Sequence, residues 1–373
     1  MSEIDVIGFA APGIRKLHPY QPGKPIDELQ RELGLSHIVK LASNENPLGA
    51  SGKAVEAAAG ALGDIHLYPD DDGYRLRQAL AQQLGVAPQQ LVLGSGSSDV
   101  IDMVARSFLR HGVNAVYSAH AFAMYAIYTQ ACGAESKVAP ALPADHPDSP
   151  LGHDLTAMAD RVDENTRVVF IANPNNPTGT WLPRGALKAF LSGLPEDVIV
   201  VLDEAYTEYV SEPEFPDGLR WLSEFPNLIV TRTFSKIHGL AGLRVGYGVA
   251  SAALAGLISR VRHPFNVNSA AQAAAVAALG DTGHVAKSVE NNLQGMRQLV
   301  AGCEALGLRY IPSVGNFLSI DMGRDAAPLF DALLREGVIV RPVANYGMPQ
   351  YLRVTIGLPE ENAFFLEALK KVL

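Results

Sequence analysis

Three stretches leave this chain little choice of architecture. Arg167-Val168-Val169-Phe170-Ile171, Val198-Ile199-Val200-Val201-Leu202 and Leu228-Ile229-Val230-Thr231 are short, almost wholly apolar, and bounded by polar or turn-forming residues. A strand with water on one face alternates apolar and polar side chains. Runs without alternation predict burial on both faces, and so a mainly parallel sheet with helices on each side. Leu91-Val92-Leu93, Ala115-Val116-Tyr117 and Val245-Gly246-Tyr247-Gly248-Val249 extend the pattern, with helical stretches at 99–110, 125–132 and 183–192. The fold class is α/β. Past about residue 260 the texture turns helical (269–279, 286–306, 363–372), with a few strands at 315–320, 338–340 and 352–355, which predicts a second, smaller α+β domain. Pro12, Pro19, Pro22 and Pro25 among polar residues make 1–40 an extended arm and part of that smaller domain, leaving 41–260 as the large domain and 261–373 as the small one.

Composition closes off several function classes. With 48% apolar and 18% charged residues over 373 positions, disorder and coiled coil are excluded. Thirty basic against 39 acidic residues, a formal charge of −9, gives no general footprint for nucleic acid, so any anion site must be built locally. Cys132 and Cys303 sit in no CxxC or metal-spaced Cys/His cluster and read as thiols of a reducing compartment. Met1-Ser2-Glu3-Ile4-Asp5 lacks the basic and apolar regions of a signal peptide, and no apolar run approaches the roughly 20 residues of a membrane span. The expectation is a cytoplasmic protein.

In open α/β sheets, ligands bind beyond the carboxyl ends of the strands. Four such places carry chemistry. Strand 91–93 runs into Gly94-Ser95-Gly96-Ser97-Ser98-Asp99 and a helix, an anion cradle or a helix cap made by Ser98 or Asp99. Strand 167–171 runs into Asn173-Pro174-Asn175-Asn176-Pro177-Thr178-Gly179, where two prolines and a glycine fix the backbone so that Asn176 is aimed in one direction. Strand 198–202 ends on Asp203-Glu204-Ala205-Tyr206; a carboxylate there is costly unless a cation meets it, although a second helix cap would also account for Asp203. Strand 228–231 leads to Thr233-Phe234-Ser235-Lys236, with Arg244 eight residues on. A semi-buried lysine has a lowered pKa and attacks carbonyls, as a Schiff base requires; a solvated surface lysine is the plain alternative. Taken together, the four places suit pyridoxal 5′-phosphate, whose aldehyde needs a lysine, whose ring nitrogen needs an acid and whose phosphate needs donors.

The motifs Ser43-Asn44-Glu45-Asn46-Pro47, Leu67-Tyr68-Pro69, Asn173 to Gly179, Asp203 to Tyr206, Thr233 to Lys236 and Gly242-Leu243-Arg244 occur in one order over nearly the whole chain. In this the sequence resembles the fold-type I pyridoxal-phosphate aminotransferases, and within them the histidinol-phosphate branch. The resemblance implies that Lys236 forms the Schiff base and, once released, moves the proton between the substrate Cα and C4′. It also implies that Asp203 keeps the pyridine nitrogen protonated, that Asn176 and Tyr206 bond the ring's phenolic oxygen, and that Ser97, Ser98, Ser235 and Arg244 hold the phosphate. Phe122 would stack on the ring, with a core phenylalanine as the alternative. Tyr68 would reach the neighbouring subunit's cofactor, implying a homodimer. Ser97-Ser98-Asp99 and His120-Ala121 stand where many relatives have Ala-Asp-Glu and Pro-Thr.

Histidinol phosphate lacks an α-carboxylate, so its phosphate must be gripped where other aminotransferases grip one, and a dianion calls for more than one arginine. Arg341 after strand 338–340 and Arg353 in Tyr351-Leu352-Arg353-Val354-Thr355 are the candidates, surface arginines on edge strands being the alternative for each. Leu17-His18-Pro19-Tyr20-Gln21-Pro22-Gly23-Lys24 resembles the same branch, with Tyr20 closing over the substrate. The expected reaction is amino transfer between L-histidinol phosphate and 2-oxoglutarate, giving imidazole acetol phosphate and glutamate. An aromatic amino acid aminotransferase and a threonine-phosphate decarboxylase-like lyase stay open on the same framework. A cofactor-binding regulator lacks any helix-turn-helix extension or basic patch to support it.

Overall fold

The computed structural model describes residues 5–20 and 22–373; Met1 to Ile4, and Gln21 of the N-terminal motif, lie outside them. The central sheet joins β2 (Leu91–Gly94), β3 (Asn114–Ser118), β4 (Glu135–Ala139), β5 (Thr166–Ala172), β6 (Ile199–Asp203), β7 (Leu228–Thr233) and β8 (Gly246–Ala250) in the order β2-β8-β7-β6-β5-β3-β4. β1 (Val39–Lys40) precedes them and pairs elsewhere. The pairs among β3 to β7 are parallel, while β8 runs antiparallel to both β2 and β7.

Burial on both faces is visible residue by residue. Val169 and Ile171 of β5 and Val200 and Leu202 of β6 enter one apolar cluster, while Val168, Phe170 and Val201 enter another on the opposite side. The first cluster is closed by helices α4 (Gly52–Ala61) and α5 (Tyr74–Leu84), and the second by α6 (Ser97–Phe108) and α7 (Ala123–Ala131). The arm holds α1 (Val6–Phe9), α2 (Pro12–Arg15) and α3 (Ile26–Leu33). Short α8 (Leu155–Ala159), α9 (Arg184–Gly193) and α10 (Ala252–Ile258) complete the cover of the large sheet, and α11 (Ser269–Leu279) comes next in the chain.

The second body contains α12 (Thr282–Ala305), β9 (Arg309–Ile311), β10 (Phe317–Asp321), α13 (Ala327–Arg335), β11 (Val338–Ile339), β12 (Arg341–Pro342), β13 (Tyr351–Thr355) and α14 (Pro359–Val372). Its antiparallel sheet has the order β12-β13-β10-β9, and β11 pairs in parallel with β1, which ties the arm to this body. The expected boundary at 260 falls too early for the packing. Ala271, Ala274, Ala275 and Ala278 of α11 are buried with α4 and α5 in the large-sheet cluster, because their small side chains let the helices approach closely. We therefore place the boundary near residue 280.

Ala274 is fully buried in this layer. Ala274→Leu overpacks the contact between α11 and its neighbours and is expected to cost about 1–3 kcal/mol. A lower urea midpoint would show this, and an unchanged midpoint would contradict the packing described.

Candidate active site

Residues just beyond β2, β3, β5, β6 and β7 line one cavity of about 250 Å3. Tyr20, Ser97, Ser98, Phe122, Asn176, Asp203, Tyr206, Ser235, Lys236, Arg244, Arg341 and Arg353 all lie on its wall. Tyr68 does not. It is 81% exposed and stacked on Phe265 with ring centroids 4.5 Å apart.

At one end α6 starts with Gly96 as its N-cap and no side-chain capping bond, so neither Ser98 nor Asp99 serves as the cap. The Asp99 carboxylate instead accepts from the Ser95 amide (2.8 Å) and Asn266 Nδ2 (2.7 Å). Close approach explains two glycines here. A Cβ on Gly96, itself at φ 90°, would stand 2.6 Å from Arg244 Nη2, and one on Gly246 would stand 2.4 Å from the Ser97 amide. Arg244 Nη1 reaches Ser235 Oγ (3.4 Å) and the Ala241 carbonyl (3.0 Å). A helix N-terminus, hydroxyls and a guanidinium thus meet in an anion cradle.

In the middle, Asp203 closes β6 and caps no helix. Its Oδ1 accepts from Thr231 Oγ1 and its Oδ2 from Tyr125 Oη, each at 3.0 Å. Both partners are neutral hydroxyls. Burial outweighs them and pushes the carboxyl up to about 6. Lys236, half-buried just beyond β7, donates from Nζ to the Ser43 carbonyl at 3.0 Å. Burial, with Arg353 second, pulls its ammonium down to about 7. Tyr206 Oη accepts from Asn44 Nδ2 at 3.0 Å, and burial raises the phenol to about 12.

The far end is formed by the second body. β12 and β13 pair so that Arg341 and Arg353 stand directly opposite each other, and both are buried, at 7% and 6% exposure. Neither is a surface arginine, and β13 is an internal strand. Arg353 Nη1 bonds Asn176 Oδ1, Nη2 bonds the Ala42 carbonyl at 2.7 Å, and Nε is buried with no partner among the described residues. The Arg341 guanidinium lies 5.6 Å from the Tyr20 ring centroid.

The aminotransferase class I and II family pattern matches residues 36–369. The chain is 59% identical to "Histidinol-phosphate aminotransferase 2" of Methylococcus capsulatus over 99% of its length and 100% of that protein. It is 57% identical to the protein of that name from Pseudomonas aeruginosa over 99% of each. A crystal structure of histidinol-phosphate aminotransferase from Sinorhizobium meliloti, in complex with pyridoxal-5′-phosphate, superposes with a TM-score of 0.88 at 28% identity, over 100% of this chain and 98% of that one. The chain belongs to the class I and II aminotransferases.

As an aminotransferase site, the cavity has the charge its chemistry needs. Among the described residues of its wall, Lys236, Arg244, Arg341 and Arg353 outnumber the carboxylates Asp203 and Glu45, a local surplus of cations in an acidic chain. Three groups ask for a ligand: the uncapped helix start beside Arg244, a buried carboxylate held only by hydroxyls, and the Arg353 Nε. A phosphate, a protonated ring nitrogen and a second anion would satisfy them in turn. Tyr125, Thr231 and Asn44 also serve this site, though the sequence assigned them no role. Tyr125 reads as core because it lies in an apolar helix, and it is core: its ring stacks on Phe170 at 4.8 Å.

Asp203 gives a pH signature. Its carboxyl sits at about 6 in the folded chain against the usual 3.8, so ionisation weakens the cofactor-free fold as pH rises from about 4 to about 6, and the full cost remains above that range. Asp203→Asn is expected to stabilise the cofactor-free protein by about 1–3 kcal/mol at neutral pH and to have little effect below about pH 4. Equal urea midpoint shifts at both pH values would contradict the buried, uncompensated carboxylate.

Proposed function

We propose that this aminotransferase binds pyridoxal 5′-phosphate in the cavity and moves the amino group of L-histidinol phosphate to 2-oxoglutarate, giving imidazole acetol phosphate and L-glutamate for histidine biosynthesis in the cytoplasm. The pairing of Arg341 with Arg353 carries the reading. Like charges directly opposite on neighbouring strands destabilise a sheet, and burying them adds a desolvation cost. A dianionic phosphate between two guanidiniums offsets both. The names borne by the relatives agree with this chemistry.

When bound, the cofactor supplies an aldehyde carbon for amines and a protonated ring that withdraws electrons. Ser97, Ser98, Ser235 and Arg244 would hold its phosphate, Phe122 would cover one face of its ring, and Asn176 and Tyr206 would bond its phenolic oxygen. Asp203, fixed through both oxygens, would keep the ring nitrogen protonated, and a cation there would draw its own pKa back down. Lys236 Nζ, with a pKa of about 7, is neutral in a large fraction of molecules at neutral pH. It can attack a carbonyl and afterwards hold or release one proton at the same atom. Tyr20, beside Arg341, would close over the substrate, and the carboxylates of 2-oxoglutarate and glutamate would meet the same two arginines.

We also infer a homodimer. Val55, Leu62, Ile65, Leu67, Tyr68 and Tyr74 are 56–81% exposed within one short span of chain, an apolar surface that a second copy would cover. Tyr68 would then reach the partner's phosphate site. Sedimentation at the mass of a single chain would contradict this.

The test is the visible absorption of cofactor-loaded protein on separate additions of L-histidinol phosphate and L-phenylalanine, without oxoacid. A rapid change with the first alone, yielding pyridoxamine phosphate, is expected. An equal change with phenylalanine would instead make this an aromatic aminotransferase, and release of carbon dioxide a lyase. Lys236→Ala is expected to abolish turnover with folding intact. Arg353→Ala should lower kcat/KM for histidinol phosphate by about a hundredfold, roughly 3 kcal/mol, and an unchanged value would remove Arg353 from the pocket.

A further inference from the structure

His120 stands at an unusual point of the backbone. It follows β3 and precedes Phe122, with φ 57°, in the left-handed region that a non-glycine residue seldom enters. A proline, locked near φ −65°, could not occupy this conformation. The bend gives His120 two separate connections. Its carbonyl accepts from Asn175 Nδ2 at 3.0 Å, next to the Asn176 that meets Arg353. Its ring Nδ1 lies 2.6 Å from the Tyr346 carbonyl. A carbonyl only accepts, so Nδ1 carries the proton and donates.

Tyr346 belongs to the short turn 344–346 that comes after β12, and so after Arg341. Its buried side chain also takes a backbone hydrogen bond at Ala123, the first residue of α7. Gly347 closes the turn within van der Waals reach of His120: an added Cβ would stand 3.4 Å from the imidazole Cε1. The turn of the second body is thereby fastened to the loop of the large body that carries Phe122.

We propose that His120 is a positioning residue that latches the 344–347 turn to the Phe122 loop, and so sets the distance between the face that stacks on the cofactor ring and the arginine pair that grips the substrate phosphate. This rests on the reading of Arg341 and Arg353 given above. It assigns His120 no contact with substrate. The latch matters for binding the anion in register, and less for the proton transfer made by Lys236.

Three variants separate the latch from the backbone bend. His120→Ala removes the donor and leaves a strained φ; His120→Gly removes the donor but relaxes φ; His120→Asn tolerates the left-handed region and places an amide N–H where Nδ1 was. Amide hydrogen exchange of residues 343–348 in the cofactor-free protein reads the latch without any turnover. Loss of protection in the Ala and Gly variants, with retention in Asn, is expected. Rescue by Gly equal to that by Asn, or unchanged protection in Ala, would overturn the latch. In the loaded enzyme, KM for histidinol phosphate should rise about five- to tenfold in Ala and Gly, the scale of one net hydrogen bond, with kcat changed less than about twofold. A fall in kcat at constant KM would overturn the positioning role. If the native enzyme ignores histidinol phosphate, the substrate reading fails, while the exchange result still decides the latch.

Discussion

Everything in this site is arranged around one buried carboxylate. Asp203 ends the central strand of the sheet, after the apolar run 199–202 and between Ala172 of β5 and Thr231 of β7, and it is 5% exposed. An ionised group in such a place costs several kcal/mol unless matched. The chain supplies two hydroxyls, from Tyr125 and Thr231, which orient both oxygens without neutralising them. Pre-orientation with incomplete compensation is what a cationic ring nitrogen needs from its partner.

The same incompleteness recurs at the other two poles of the cavity. α6 begins without a side-chain cap, beside an arginine that glycines allow to come close. Two buried arginines face each other across a strand pair, and one keeps an unpartnered Nε. On the reading proposed above, a ligand charge of the opposite sign would stabilise each of these places. On the same reading, their order along the cavity, phosphate cradle, carboxylate with lysine, arginine pair, would order the ligands as well. The large body holds the first two and the small body the third, so the spacing between bodies would set the fit of substrate to cofactor.

Much of this is legible in the sequence because the parallel strands of an α/β sheet bring the residues at their carboxyl ends to one edge. The continuous apolar runs locate β5, β6 and β7, and the segments carrying Asn176, Asp203 and Lys236 lie at the carboxyl ends of those runs. Other features carry no such signal. β4 escapes a reading by apolar runs because, as an edge strand, it exposes Glu135, Ser136 and Val138. The sequence alone groups α11 with the small domain because an alanine-rich run does not show which helices it meets; in the structure its buried alanines pack on α4 and α5. Tyr125 and Thr231 serve two masters, packing with the ring or strand and donating with the hydroxyl, and periodicity reports only the first. The opposition of Arg341 and Arg353 depends on strand register, which the residues between them do not reveal.

If the cofactor's ring nitrogen completes the buried Asp203 carboxylate, the titration of that one group changes when the cofactor binds. Carbon-13 NMR of aspartate-labelled protein, with Asp203→Asn to assign the signal, tracks its carboxyl through pH with and without pyridoxal phosphate. The expected midpoint is near 6 in the cofactor-free protein and falls, on loading, to the ordinary carboxylate range or below. A midpoint already in that ordinary range without cofactor, or one that loading leaves unmoved, would contradict that pairing of Asp203 with the ring nitrogen.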